Sequence, residues 1–374
     1  MEQVKRLEVY LDSHRVGTMA LYKGRLGAFE YVPEWLEKGF SISPFKLPLR
    51  KGVFLPQWDP FDGTFGIFAD SLPDGWGRLL VDRMLQREHL DPMAVDNLTR
   101  LAIVGSSGRG ALEYKPDLSR VAEQDIRDYD VLAESCKKLL QSEPVENLDE
   151  LYRFGGSSGG ARPKAMVSVD GEEWLVKFPS TYDSDDIGKQ EYDYVECAAH
   201  CGIEVPEHRL IGSNHCAGYY ACRRFDRMAG PAGTKKIHMV SVSALLELSH
   251  RIPSLDYNAL MALTWQLTKS MPELEKLFRL MCFNVFAHNR DDHSKNFSYL
   301  YENGLWRLAP AYDMTYSYSI GGEHATTVNG NGKDPRQEDL LSVAKKAGLN
   351  KTKAKQILEE VRQTVNSELQ LYLK

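Results

Sequence analysis

Long apolar runs are missing from this 374-residue chain. No stretch reaches the ~18 apolar residues that a membrane-spanning helix needs, so no membrane partner is expected. The first residues, MEQVKRLEVYLD, lack the apolar core of a secretory signal, and a cytoplasmic location is expected. A basic excess is missing too. Lys and Arg total 46 against 52 Asp and Glu, a net charge of −6, which excludes a nucleic-acid-binding coat as a global property but not a local patch. Cysteine is sparse: six, at 136, 197, 201, 216, 222 and 282. Without a signal segment, reduced thiols are the expectation. Cys197, His200 and Cys201 have a faint look of metal ligands. They stand in the alanine-rich helical stretch YVECAAHCG with no second pair at zinc spacing, so they read as helix thiols. There is no internal repeat and no low-complexity segment.

What is there is ordinary globular material. Hydrophobic residues make up 43% and charged residues 26%, which argues against a disordered, collagenous or coiled-coil chain. At about 150 residues per domain the length suggests about two to three domains. Leu7, Val9 and Leu11 alternate along one strand, and Val16 to Tyr22 reads as its hairpin partner across the polar DSHR turn. SLPDGWGRLLVDRML reads as a helix capped by Asp74. Between about 116 and 150 the chain turns acidic and polar, and a boundary is placed there, bridged by a helix in VLAESCKKLLQ. Further on, strands AMVSVD and EWLVKFPS flank a turn at Asp170-Gly171, and a helix is expected over roughly 187–201. Leu274, Leu277, Phe278, Met281 and Val285 recur on one helical face. The tail reads as two amphipathic helices joined near Gly348. These divisions give 1–120, a connecting segment 121–150, a core 151–333 and a helical tail 334–374.

Four segments carry chemistry as a set. Gly155 to Lys164, GGSSGGARPK, exposes backbone N–H groups that can approach an anion, though it matches neither the GxxxxGK[ST] loop nor the kinase GxGxxG. Lys177 sits in a strand between Val176 and Phe178, where lysine is rare unless paired, and Glu191 on the next helix is its natural partner. In HNRDDHSKN, Asp291 precedes Asn296 by five residues. That is the spacing at which a kinase loop takes a hydroxyl proton with Asp and holds Mg2+ with Asn. Asp313, in APAYDMT, follows in the order of a second Mg2+ ligand. His288 and His293 could ligate zinc, but the hard oxygen donors favour Mg2+, and His293 reads as an organiser of the loop. In chain order this is loop, lysine, helix carboxylate, Asp-x4-Asn and Asp, the order of a two-lobed kinase.

With these residues in place, the chain resembles the HipA family of serine/threonine kinases, the toxins of HipBA-type toxin–antitoxin pairs. The resemblance rests on SSGGARPK, WLVKFP, GIEVPEH, RRFDR, HNRDDHSKNFS and LAPAYDMT over about 150–320. It rests more loosely on FADSLPDGWGRLL and VGSSGRGAL in 1–115. It implies an α+β, two-lobed HipA/phosphoinositide-kinase-like protein kinase fold with a small N-terminal α/β subdomain. It implies ATP and Mg2+ as cofactors, with Asp291 as the base and Asn296 and Asp313 on the metal. ATP would meet Lys177, the loop residues Ser157, Ser158, Gly159 and Gly160, and His293 and Lys295. Backbone groups of Arg223 and Phe225 would meet the adenine, with Asp226 near the ribose. An autophosphorylated serine falls on Ser157, with Ser158 beside it. The implied partners are a helix-turn-helix antitoxin, DNA through that antitoxin, and a protein substrate such as an aminoacyl-tRNA synthetase. The loop departs from the usual GAQ-x-K by reading GARPK. Two other readings stand beside the active kinase: a kinase-fold corepressor that docks on an antitoxin and DNA, and a small-molecule or lipid kinase with the same metal chemistry.

Overall fold

The computed structural model describes residues 3–119, 128–230 and 233–373. The first part of the connecting segment expected at 121–150 lies outside them. The described residues form two compact units. The first comprises residues up to Gly188, then Arg209–Val240 and Ala244–Glu247; the second comprises Lys189–His208, Ser241–Ser243 and the chain from Leu248.

The first unit opens with the expected hairpin. Strands β1 (Arg6–Leu11) and β2 (His14–Tyr22) turn at Asp12 and Ser13, both with positive φ, the backbone of a tight two-residue turn. Leu7 and Val9 are buried, and the ladder shifts register between Val9 and Tyr10. β3 (Leu26–Tyr31), β4 (Val53–Phe54) and β5 (Leu112–Lys115) complete an antiparallel sheet of order β4-β3-β2-β1-β5. Around it lie helices α1 (Pro33–Lys38), α2 (Gly66–Ala69), α3 (Gly75–Arg87) and α4 (Asn97–Val104). Asp74 stands at the N-cap of α3, as its sequence suggests, but its carboxylate does not cap the helix. It accepts instead from Gly160 N–H.

Helices α5 (Tyr129–Leu140) and α6 (Leu148–Gly155) then lead to a second sheet of order β6-β7-β9-β8, built from β6 (Lys164–Val169), β7 (Glu172–Lys177), β8 (His208–Ile211) and β9 (Tyr219–Arg223). β6 and β7 turn at Asp170-Gly171, both at positive φ, the two-residue turn that Asp-Gly favours. One apolar core joins Leu132, Cys136 and Leu139 of α5, Leu151 and Phe154 of α6, and Ala165, Val167, Trp174, Val176 and Phe178 of the sheet. Trp76 and Leu80 of α3 lie in the same core. After β9, strands β10 (Arg227–Gly230) and β11 (Gly233–Lys236) form a hairpin, followed by β12 (His238–Ser241).

The second unit is mostly helical. α7 (Ile187–His200) occupies the expected span; the short α8 (Val242–Leu246), which follows β12, is divided between the two units. α9 (Tyr257–Thr268) and α10 (Met271–Phe286) pack together, and the predicted face of α10 is buried at all five positions. α11 (Gln337–Lys346) and α12 (Lys351–Glu368) form the tail, with Gly348 at positive φ between them. β14 (Ser298–Glu302) and β15 (Leu305–Leu308) make a hairpin, and β13 (Leu255–Asp256) pairs in parallel with β16 (Thr326–Thr327). Among the described residues no helix is long and apolar enough to cross a membrane.

Candidate active site

The glycine-serine loop of the first unit runs from the end of α6 to the start of β6. Ser158 N–H and Ser158 Oγ both reach Gly155 O, at 3.0 and 2.5 Å, which buries the Ser158 side chain to 1% exposure; Ser157 stays half-buried. Gly160 takes positive φ, and its carbonyl accepts from Trp76 N–H at 2.9 Å. Lys164 Nζ curls back to Gly159 O, and Arg162 forks onto Asp183 at 3.0–3.2 Å.

Lys164 opens β6 and Lys177 closes β7, and the two are partners in register. Both are buried, at 8% and 7% exposure, and Lys177 Nζ lies 5.7 Å from the centre of the Tyr220 ring. Like charges directly opposite on a sheet repel, and burial raises that cost. Sequence reasoning singled out Lys177 but gave Lys164 no role of its own. The signal was a register that places Ala165 opposite Val176 and so the two lysines opposite each other.

The RRFDR segment forms the turn after β9. Asp226 is buried, and its Oδ2 accepts from Gly110 N–H at 2.7 Å, Arg224 Nη2 at 2.8 Å and Arg227 Nη1 at 3.0 Å. Burial alone would raise this carboxyl; the two guanidinium groups more than offset it and hold it well below the usual carboxylate range. Arg227 also donates to Gly108 O and Gly110 O, so the VGSSGRG loop hangs on this turn. Arg223 pairs with Glu172 at 2.6 Å, and Phe225 is half-buried in the turn.

In the second unit the HNRDDHSKN loop is held from below by Asp292, which sequence reasoning passed over. Its side chain is fully buried. Asp292 Oδ2 accepts from Tyr257 OH at 2.9 Å and meets His324 Nδ1 at 3.1 Å, and Oδ1 accepts from Thr326 N–H at 3.1 Å. Asn284 Nδ2 donates to Tyr257 OH, and Asn289 Nδ2 to Asn284 Oδ1, both at 2.9 Å. Burial, reinforced by the Asp292 carboxylate, pushes the Tyr257 hydroxyl far above its ordinary value, so it stays a donor. On this base Asp291 points outward, its side chain 64% exposed, with His293 Nε2 at 3.9 Å. Asn296 Nδ2 donates to Asp291 O at 2.8 Å, which fixes the amide and leaves Oδ1 as its acceptor. Tyr312 OH reaches Lys295 O at 2.7 Å and Ser298 Oγ at 2.6 Å, drawing the Asp313 segment to the same loop. Asp313 itself takes positive φ, +59°. Asp291, His293, Lys295, Asn296 and Asp313 are thus gathered in the second unit, where Glu191 also lies, buried on α7. Lys177, the loop serines and RRFDR belong to the first.

Among the described residues no group of three or more His, Cys, Asp and Glu side chains is placed to hold a metal. All six cysteines are free thiols, Cys197 and Cys201 included. Asn296 and Asp313 nonetheless suit Mg2+, which keeps most of its waters and takes one or two protein oxygens alongside phosphate.

Two family models cover the chain: the HipA N-terminal domain matches residues 7–115 and the HipA-like C-terminal domain matches 156–369. The chain belongs to the HipA family. Two relatives carry the designation "Putative kinase". Y4dM of Sinorhizobium fredii is 24% identical over 98% of this chain and 90% of its own. A Haemophilus influenzae protein is 22% identical over 43% of this chain and 52% of its own. Among solved structures, HipA of Shewanella oneidensis, determined in a toxin–antitoxin complex with HipB and operator DNA, superposes with a TM-score of 0.71. It covers 98% of this chain and 91% of that one at 18% identity. The fold is therefore the mixed α+β fold of HipA.

Proposed function

We propose that the protein is an ATP- and Mg2+-dependent serine/threonine kinase, acting in the cytoplasm as the toxin of a toxin–antitoxin pair. The observation that carries this reading is the pair of buried lysines, Lys164 and Lys177, opposite each other on β6 and β7, with Lys164 reaching Gly159 O of the glycine-serine loop. A polyphosphate is a ligand whose charge two such lysines match. Family membership, the kinase designations of the relatives and the composition of the Shewanella complex support it. By analogy with that complex, the partner is a helix-turn-helix antitoxin, with DNA reached through it. The substrate is a translation-related protein such as an aminoacyl-tRNA synthetase.

In this reading Lys177 and the loop hold the phosphates, and backbone groups at Arg223 and Phe225 meet the adenine, their turn braced by Asp226. Asn296 and Asp313 hold Mg2+, which offsets charge on the transferred phosphoryl group. Asp291, exposed and backed by His293, takes the proton of the incoming hydroxyl. Asp291→Ala should lower phosphoryl transfer by several orders of magnitude, and so should Asp313→Asn, which keeps a residue suited to the left-handed backbone. The measurement is phosphate incorporation in cell lysate, with thermal unfolding of each variant alongside. Near-normal turnover by either folded variant would remove the assignment.

A further inference from the structure

The first turn of α3 is built onto the glycine-serine loop. Gly77 packs on the Ser158 backbone and Gly75, at φ +46°, on the Gly160 backbone, so closely that a Cβ at either would collide. Trp76 N–H donates to Gly160 O at 2.9 Å, and Trp76 Nε1 to Lys164 O at 3.2 Å. Into this seat Asp74 sends a carboxylate oxygen onto Gly160 N–H, at a contact that would leave only 3.1 Å between Oδ1 and a Cβ on Gly159. The carboxylate thus sits on a donor of a glycine loop, the arrangement that otherwise recruits an anion. Lys164 and Arg109 are basic groups close to these glycines. Lys164 Nζ lies 2.6 Å from where a Gly160 Cβ would stand, and Arg109 Nη2 lies 3.7 Å from the equivalent point on Gly159.

We propose that Asp74 is an internal anion seated on the nucleotide loop, competing with nucleotide phosphate for Gly160 N–H and thereby setting the affinity for ATP. This rests on the reading of the loop as nucleotide-binding. Two anions cannot share one N–H, and their mutual repulsion in a partly buried site is screened only weakly. Phosphate must displace the carboxylate, and the charge-assisted bond that is broken opposes binding. Asp74 is therefore a positioning residue: it acts on the loop.

The experiment measures ATP and adenosine affinity by titration calorimetry on the full chain, for wild type, Asp74→Ala and Asp74→Asn. Asp74→Ala should bind ATP about tenfold more tightly, equivalent to about 1.4 kcal/mol, and adenosine unchanged. Asp74→Asn, which keeps an acceptor and drops the charge, should gain part of this, and the gain should persist with added salt, because the site is partly buried. Asp74→Asn also serves if the alanine variant fails to fold. ATP binding that is unchanged or weaker in the folded variants overturns the proposal, as does an equal gain for adenosine. Absence of ATP binding by wild type, with or without Mg2+, would instead refute the nucleotide reading itself.

Discussion

Asp291 and Asp292 are adjacent and chemically identical, and the fold treats them oppositely. Asp292 is buried under Tyr257, His324 and Thr326, while Asp291 is held out by the loop that Asp292 anchors. The Asp-x4-Asn spacing pointed to the outer one. Nothing local marks the inner one, because its partners lie 32–35 residues away. His238 is a second residue whose role only burial reveals. Enclosed in the first unit, with Nε2 2.9 Å from Ile42 O and its ring against Phe40, it is pushed down to about 4 by loss of solvent, which the Ile42 carbonyl only partly counters. An unfolded histidine titrates near 6.5, so the folded chain binds fewer protons between the two values. The contribution of His238 is fully present above about pH 6.5 and is lost as pH falls towards 4. Urea unfolding should show the wild type about 2 kcal/mol less stable at pH 5 than at pH 7 from this residue, and His238→Gln should flatten the dependence by that amount. An unaltered pH profile in the variant would show that the ring is not held neutral.

At the scale of elements, periodicity was an accurate guide. The single face of α10, the β1–β2 alternation and the Asp170-Gly171 turn all formed where the pattern placed them, because each is dictated by neighbours within a few residues. The glycine-serine loop was legible as a loop, but its shape was not. Its conformation is imposed by α3, some 86 residues earlier, through Asp74 and Trp76. That shape also separates two serines which the sequence leaves equivalent. Ser158 is sealed and donates its hydroxyl to Gly155 O; Ser157 keeps access to solvent. Phosphate acquired by the loop should therefore fall on Ser157. Mass spectrometry after incubation with Mg2+ and ATP should find it there, lost in Ser157→Ala and retained in Ser158→Ala. The opposite pattern would mean that the loop leaves α3 before it is modified. The phosphate adds about −1.5 to −2 charges beside the site, so ATP binding should fall as it accumulates.

At the scale of the whole molecule, charge argues about partners. A protein of net −6 gains little from DNA phosphates. The basic side chains of the tail are partly committed, with Lys346 donating to Asn329 Oδ1 and Lys353 paired with Glu275. A gel shift with the chain alone should be weak and salt-sensitive, whereas nanomolar sequence-specific binding without a partner would favour the corepressor reading. The membership of Trp76 and Leu80 in the core of the second sheet has a consequence of another kind. The seam between the two family models, 7–115 and 156–369, is not a seam in the packing. A hybrid joining the front of one family member to the back of another would inherit an indole cut for one socket and a socket cut for another. Relatives at 22–24% identity offer little assurance that the shapes agree. The two segments have to vary together, and a crossover between them is tolerated only where the socket residues, Leu151, Phe154 and Ala165 among them, travel with the tryptophan that fills it.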